Sequence, residues 1–347
     1  MLGLPEKDPV TLDLDSTTTC VHGELKEDAT YNYEGKLSFG SLLCTWAERR
    51  RVLAAGLRSG SASDKPIAPR LVPRALRSLP RGHREVRLRA DSGFYSSGFL
   101  NWCRRHHLRF CVVVPHYQVM GEPRRHLSPS SWRPLGEMAG AEVAELRFTP
   151  NSWQHEPLRL LVLRAAVEAK EISKCPRSRR RRTIPKGQLT LKGMVSHPYA
   201  HSFIATDLSQ DAVEFWQRRR ARIEERVKDL KLGCGLLRLP LRLRRANYAS
   251  QTAAVIATNL TAMLSAVNVC RERQEAKAAA GGSLGGEQLA AVGQPHNSQL
   301  LRRWLFSVPA RLVRGGRRLR LRLAPGMLHK EEFWALHHQV LRLAPTG

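Results

Sequence analysis

The sequence predicts an α/β protein in which a mixed β-sheet carries helices on its faces. Three consecutive strand-like segments near the N-terminus indicate an antiparallel meander. The strands that follow are separated by helical segments, which indicates parallel additions to the sheet. The length of 347 residues and the 42% hydrophobic content are sufficient for a large folded core.

The first three strands are predicted close to the N-terminus. Residues 10–16 alternate between apolar and polar side chains, which is typical of a half-buried strand. Residues 37–47 and 50–60 are predicted as the next two strands, joined by a tight turn. The alternation gives the first strand an inward face of Val10, Leu12 and Leu14 and a polar face of Thr11, Asp13 and Asp15.

Helices and strands alternate in the following part of the chain. A helix is predicted at residues 70–79, inside a proline-rich region, and the alternating segment 85–91 is predicted as the fourth strand. Residues 96–107 have a helical pattern, and the apolar run 109–115 is typical of a short buried strand. The predicted order is therefore three strands, then helix, strand, helix and strand.

The pattern changes after the segment 1–116, which holds all of these elements. Residues 117–212 contain strand-like segments separated by Pro, Gly and basic loops, which indicates a mostly β insertion. Helical patterns return over residues 213–274. Residues 275–298 are predicted as a Gly/Ala-rich linker, and residues 299–347 as a basic C-terminal segment.

The charge of the chain indicates a polyanionic partner. Its formal net charge is +27, carried mainly by arginine, whose planar guanidinium group matches phosphate oxygens. The basic run at residues 176–183 is interpreted as a solvated loop, with a phosphate-contacting loop as the less frequent alternative. The cysteines lack metal-ligand spacing and no signal peptide is recognisable, which predicts a cytoplasmic protein with reduced thiols.

Two carboxylates are predicted at strand ends. Asp15 is placed at the carboxyl end of the first strand and Asp91 at the carboxyl end of the fourth. Because ligands of open sheets gather outside the carboxyl ends of strands, the two acids converge if these strands are neighbours. Taken singly, Asp91 could instead cap the following helix, and Asp15 could form a turn. Asp13, on the same face as Asp15, is the alternative candidate.

A third acid is predicted on the helix at residues 212–232. With Arg220 set at zero, Glu224 falls at about 40° and Lys231 at about 20° around the helix axis. These three residues therefore line the edge of the apolar face, whereas Glu225, near about 140°, is predicted to face solvent. The alternative role of Glu224 is an ion pair with a basic residue one turn away.

Three acidic segments together resemble the motifs of a DDE transposase, and most closely those of the insertion-sequence-1380 type of bacterial transposons. The segments are LDLDSTTT at residues 12–19, RLRADSGF at residues 87–94 and RRRARIEERVKDLK at residues 218–231. Residues 31–43 and 51–60 and the basic tail at 301–323 resemble the same family, so the resemblance covers nearly the whole chain. The third segment also fits the related signature R-x3-E-x6-K.

The resemblance implies a ribonuclease-H-like (retroviral-integrase-like) fold, interrupted by the β insertion before the helix with the third acid. It implies DNA cleavage at transposon ends and strand transfer into target DNA by a homodimer in the bacterial nucleoid. Asp15, Asp91 and Glu224 would be the catalytic acids and would hold two Mg²⁺ ions, with Mn²⁺ as a possible substitute. Arg220 and Lys231 would bind DNA phosphates.

Two departures from the family pattern affect these expectations. The tyrosine that opens the signature in relatives corresponds to Gln217, which puts the usual phosphate or flanking-strand contact in doubt. Relatives carry an N-terminal region that binds transposon ends and dimerises, and its absence before the first catalytic strand predicts an N-terminally truncated chain. The alternative functions are therefore an inactive DNA-binding remnant and a metal-dependent nuclease of the same fold.

Overall fold

The computed structural model divides the chain into two compact units. Unit 1 comprises Met1–Ala62, Leu71–Arg84 and Ala221–Gly347, and unit 2 comprises Ser63–Arg70 and Glu85–Arg220. The structure describes residues 9–80, 82, 85–115, 127–135, 140–150, 152–166, 199–208, 223–281, 288, 292, 295–307, 310–315, 318–324 and 329–343. The basic run at 176–183, Gln217 and Arg220 lie outside the described residues.

Unit 1 contains the predicted antiparallel meander. Strand β1 (Val10–Cys20) pairs with β3 (Leu37–Trp46), which also pairs with β4 (Arg51–Ser59) and with the short β2 (Thr30–Tyr31). All of these pairings are antiparallel. The three predicted strands are therefore confirmed, but β1 extends beyond its predicted end at residue 16.

The helices of unit 1 lie mostly in its C-terminal part. Helix α3 covers residues 223–228 and continues as a π-helical turn, Asp229–Gly233. Helix α1 (Ala68–Arg77) comes earlier in the chain, and α2 (Ser97–Arg105) belongs to unit 2. After α3, unit 1 continues with α4 (Arg244–Ala279), α5 (Ser298–Leu301) and a π-helical turn (Arg302–Phe306). It ends with the hairpin strands β11 (Ala310–Gly315) and β12 (Arg318–Leu323) and helix α6 (Lys330–Leu343).

Helix α4 covers the outer side of β4 with polar side chains. Asn259 accepts a hydrogen bond from Val52 N and donates one to Val52 O, both at 2.8 Å. Tyr248 Oη donates to Ala55 O at 3.3 Å. These bonds satisfy backbone groups that an edge strand would otherwise expose. Although α4 is long and apolar enough to cross a membrane, 44% of its most apolar window is buried within the protein.

The described part of the apolar face predicted for the 212–232 helix, which begins at residue 223, lies in the core of unit 1. Leu230 is buried together with Leu43 of β3, Val52 of β4 and Ala254 of α4. Val227 packs partly against the same cluster. This packing fixes α3 and its π-helical turn against the antiparallel strands.

Unit 2 contains a mixed sheet with the strand order β5–β6–β10–β9–β8–β7. Its strands are β5 (Val86–Ala90), β6 (Arg109–Val114), β7 (Arg133–Pro134), β8 (Ala141–Phe148), β9 (Leu158–Ala166) and β10 (Tyr199–Thr206). The pair β5–β6 is parallel, as predicted, and the other pairings are antiparallel. Strand β10 of the predicted insertion therefore pairs directly with β6.

Asp207, directly after β10, is hydrogen-bonded to the backbone of β6. Its Oδ1 accepts a hydrogen bond from Phe110 N at 2.7 Å, and Arg104 and Arg109 lie 3.7 and 3.9 Å from its Oδ2. The carboxylate side chain is only 3% exposed. Burial raises the pKa of Asp207, although the hydrogen bond and the two arginines act in the opposite direction.

We expect this carboxylate to make unit 2 less stable as the pH rises. An acid whose pKa is higher in the folded state keeps its proton while the unfolded chain loses it, so stability declines as pH increases above about 4. Asp207→Asn should remove that decline because the amide has no proton to lose in this pH range. Its oxygen can still accept the hydrogen bond from Phe110 N, so the contact with β6 should persist. Thermal unfolding of both proteins between pH 4 and 7 measures this difference; parallel pH profiles would contradict it.

Candidate active site

Asp15 lies in the middle of β1 rather than at its carboxyl end. The strand continues through the polar segment 16–20, because Ser16 to Cys20 pair with Ser38 to Leu42 of β3. The sequence-based placement of Asp15 at a strand end is therefore wrong. Asp15 is half-buried, and its Oδ1 accepts a hydrogen bond from Ser16 N at 2.9 Å.

Asp13, the alternative first acid, lies in a different environment from Asp15. It is only 2% exposed and pairs across the sheet with Thr45. The pKa of the neighbouring Cys44 thiol is raised, mainly by burial and further by the charge of Asp13. Leu12 and Leu14 are fully buried, so β1 is covered on both faces at Asp13. Half-buried Asp15 is the more accessible of the two acids.

Lys231 lies against β1 close to Asp15. Its Nζ donates a hydrogen bond to Thr18 O at 3.0 Å, and the residue is half-buried. Burial lowers the pKa of Lys231, whereas the charges of Cys20 and Asp15 act to raise it. The structure thus places Lys231 against β1, within electrostatic range of Asp15, although the two residues belong to motifs far apart in the chain.

Asp229, which the sequence analysis did not select, anchors the turn that carries Lys231. Its two carboxylate oxygens accept hydrogen bonds from Ser298 N and Ser298 Oγ, both at 2.7 Å. Ser298 Oγ also contacts Thr261 Oγ1 at 2.7 Å. The π-helical turn is therefore tied to the start of α5. Because Ser298 is 69 residues away, no local sequence signal identified this contact.

Gly233 allows the close approach between this turn and α5. A Cβ atom at Gly233 would lie 2.7 Å from Ser298 Cβ and 2.8 Å from Asp229 Oδ1. Both distances are shorter than van der Waals contact, so a larger residue would displace Ser298 or the turn. Arg302 Nη1 adds a hydrogen bond to Gly233 O at 3.1 Å. Gly233 and Asp229 therefore fix the turn that carries Lys231.

Glu224 and Glu225 of α3 are both exposed. The side chain of Glu225 is 69% exposed and lies 4.0 Å from Arg50, which agrees with its predicted solvent-facing orientation. Arg226 is only 8% exposed, so the buried face of α3 extends on the side away from Glu224. Exposure therefore does not distinguish Glu224 from Glu225 as the site residue.

Asp91 lies directly after β5, at the carboxyl end of the strand as predicted. Its Oδ1 accepts a hydrogen bond from Gly93 N at 2.9 Å and caps the single 3₁₀ turn Ser92–Phe94. The following helix α2 is instead capped by Ser96, which accepts from Phe99 N. The alternative role of Asp91 as the cap of that helix is therefore wrong.

A second carboxylate, missed in the sequence analysis, lies beside Asp91. A Cβ atom at Gly93 would be 3.0 Å from Asp64 Oδ2 and 3.1 Å from Asp91 Oδ1. A larger residue at this position would therefore press against both carboxylates. Asp64 comes from the loop before α1, where its backbone oxygen accepts from Ile67 N and Ala68 N. Asp64 was not selected from the sequence, because an acidic residue shortly before a helix is common at helix starts.

The predicted acids belong to different units. Asp15, Glu224 and Lys231 are part of unit 1, and Asp91 is part of unit 2. Within the described residues of either unit, no three His, Cys, Asp or Glu side chains are grouped as ligands of one metal ion. The convergence of Asp15, Asp91 and Glu224 remains a prediction.

Comparison with known proteins identifies the class to which these acidic motifs belong. A family model described as Transposase DDE domain group 1 matches residues 5–281. This range covers most of the chain and includes Asp15, Asp91 and Glu224. The chain therefore belongs to the DDE transposase domain family.

One solved structure similar to this chain is a piggyBac transposase, in a synaptic complex with hairpin DNA. The sequence identity is 10% and the TM-score is 0.43. The similarity covers 73% of this chain and 46% of the piggyBac chain, so this protein spans less than half of that transposase's length. No curated protein sequence matches the chain.

Proposed function

We propose that the protein is a DNA transposase that cleaves DNA at transposon ends and transfers the freed strand into target DNA. The observation that carries this proposal is the hydrogen bond from Lys231 to β1, within electrostatic range of Asp15, in a chain of the DDE transposase domain family. An acid and a half-buried cation held against the same strand suit a site that binds both a metal ion and a phosphate. The proposed origin is a bacterial element of the insertion-sequence-1380 type.

The proposed catalytic residues are Asp15, Asp91 and Glu224, and their chemistry fits Mg²⁺. All three offer carboxylate oxygens, the hard ligands that Mg²⁺ prefers, and Asp15 and Asp91 each have one oxygen oriented by a backbone N–H. Two Mg²⁺ ions, or Mn²⁺ in their place, would supply activation of the attacking oxygen and neutralisation of the leaving oxygen.

The chain's own cations would hold the DNA. Lys231 is held by Thr18 O and by the packing of the π-helical turn, so its ammonium group is positioned before DNA binds. Arg220 is proposed as a second phosphate ligand from its spacing in the R-x3-E-x6-K signature. Asp229 and Gly233 would act indirectly, by fixing the turn that carries Lys231.

The partners proposed for this site are the terminal inverted repeats of the transposon and a target duplex. The net charge of +27 favours a polyanion, and arginine forks suit phosphate oxygens. A homodimer is proposed for the active complex, since two transposon ends must be processed together.

The direct test is cleavage of a plasmid that carries the terminal repeats flanking the protein's own gene. The protein, expressed from its complete reading frame, should cut at the repeat ends in Mg²⁺ or Mn²⁺ and not in EDTA. Sequencing of the cut ends and of integration products identifies strand transfer. Cutting without integration would favour a nuclease, and no cutting with DNA binding retained would favour an inactive remnant.

Lys231→Gln should reduce the cleavage rate by about 10- to 100-fold, because a hydrogen bond to a charged group contributes about 1.5–3 kcal/mol. Lys228→Gln is the matched control, since Lys228 is exposed on the same helical segment. It should change the rate by less than about threefold, as surface substitutions usually do. The measurement is single-turnover cleavage; equal losses in the two variants would contradict the role of Lys231.

A further inference from the structure

The β11–β12 hairpin has one face rich in arginine. Arg311 pairs with Arg322, and Val313 pairs with Arg320. Directly opposed residues of an antiparallel pair project from the same face, and alternate residues along each strand share it. Arg311, Arg320 and Arg322 therefore lie on one face, and all three are exposed.

The opposite face of the hairpin is mainly apolar. Leu312 and Leu319 are 65% and 67% exposed, and Arg314 pairs with Leu319 on this side. A two-stranded ribbon with both faces in solvent is marginally stable by itself. The hairpin therefore has the composition of an element that becomes ordered against a partner.

We propose that the arginine face of this hairpin binds the major groove of duplex DNA. A two-stranded β-ribbon fits the major groove, where strand-borne side chains reach phosphates and base edges. Arginine forks bind phosphate oxygens and guanine in that groove. The inference rests on the proposed function, from which it takes DNA as the partner. It assigns DNA binding to a surface that is far in sequence from the three proposed catalytic acids.

Charge complementarity favours DNA over a lipid surface. The exposed residues of the hairpin include no tryptophan or phenylalanine, the side chains that anchor interfacial elements in a bilayer. Arg311, Arg320 and Arg322 instead form a compact cationic patch across both strands. Such a patch releases counterions when it meets the phosphates of a duplex, which makes the affinity dependent on salt.

The test compares the salt dependence of duplex binding in the full chain and in R311Q/R320Q/R322Q. Each lost phosphate contact makes the slope of log affinity against log salt shallower by about 0.9, so we expect a change of about 2 to 3. R311K/R320K/R322K should restore most of the slope, because lysine keeps the charge. Fluorescence anisotropy with a random-sequence duplex measures all of these values.

Two controls separate this surface from general effects. R70Q/R77Q/R105Q removes the same charge from exposed positions elsewhere and should change the slope by less than about 1. L312T/L319T alters the opposite face of the hairpin without changing its charge, and threonine suits a strand. This variant should keep the slope of the unaltered protein.

Several outcomes would overturn the inference. Equal changes in both arginine triple variants would show a general charge effect, and an unchanged slope in R311Q/R320Q/R322Q would exclude the hairpin. If R311Q/R320Q/R322Q lost the binding of the unaltered protein to phosphatidylserine vesicles but kept its DNA binding, the arginine face would be assigned to membranes. If the unaltered protein binds DNA while the hairpin variant behaves identically, only this inference fails; if it binds no DNA, the proposed function fails as well.

Discussion

Asp91→Asn should abolish DNA cleavage while leaving DNA binding and the fold intact. The amide oxygen of the introduced asparagine can still accept the hydrogen bond from Gly93 N, so the 3₁₀ turn after β5 should persist. The variant lacks the negative charge that a pair of divalent cations requires. A loss of several kcal/mol of transition-state stabilisation corresponds to at least about 10³-fold in rate.

Ser96→Ala is the matched control for this experiment. Ser96 accepts a hydrogen bond from Phe99 N at the start of α2, five residues after Asp91, and carries no charge. Its removal should cost about 1 kcal/mol of stability and leave the cleavage rate nearly unchanged. Single-turnover cleavage, duplex binding and thermal unfolding are measured for both variants. Cutting at the normal rate by the Asp91→Asn protein would assign Asp91 a purely structural role.

Asp15→Asn should also eliminate cleavage, whereas Asp13→Asn should not. Half-buried Asp15 has one oxygen oriented by Ser16 N, and Lys231 lies within electrostatic range of it. Asp13 is almost fully buried next to Cys44, so it is poorly placed to meet solvent, metal or DNA. We expect a loss of at least about 10³-fold for Asp15→Asn and less than about tenfold for Asp13→Asn.

The two substitutions form an internal pair, because they make the same chemical change two residues apart on one strand. Asp13→Asn should alter stability more than Asp15→Asn, since buried polar groups depend on their partners most strongly. Cleavage rates and urea unfolding measured in parallel distinguish the two effects. Retained cutting in Asp15→Asn with loss in Asp13→Asn would identify Asp13 as the first catalytic acid.

The sequence predicted the elements whose patterns are local. Strands β3, β4 and β6 begin and end within two residues of their predicted limits, because alternation and short apolar runs reflect burial. The parallel pairing of β5 with β6 followed from the helix between them. The position of Asp91 at the end of β5 was predicted from the alternation of residues 85–91.

Tertiary pairing decided the placement of Asp15. The segment 16–20 has no apolar alternation, and only its hydrogen bonds to β3 extend β1 to Cys20. Threonine favours strands, but its contribution depends on the partner strand. The sequence therefore selected Asp15 as a candidate while giving it the wrong position within its strand.

The sequence by itself determined the family motifs, the order of the elements and the basic character of the chain. Only the tertiary structure decided that Lys231 binds the β1 backbone near Asp15, that Asp229 is held by Ser298, and that Asp64 lies next to Gly93. These contacts join residues far apart in the chain, and they form when buried surfaces pack together. Local periodicity reports which face of an element is buried, but it carries no information about which distant element covers that face.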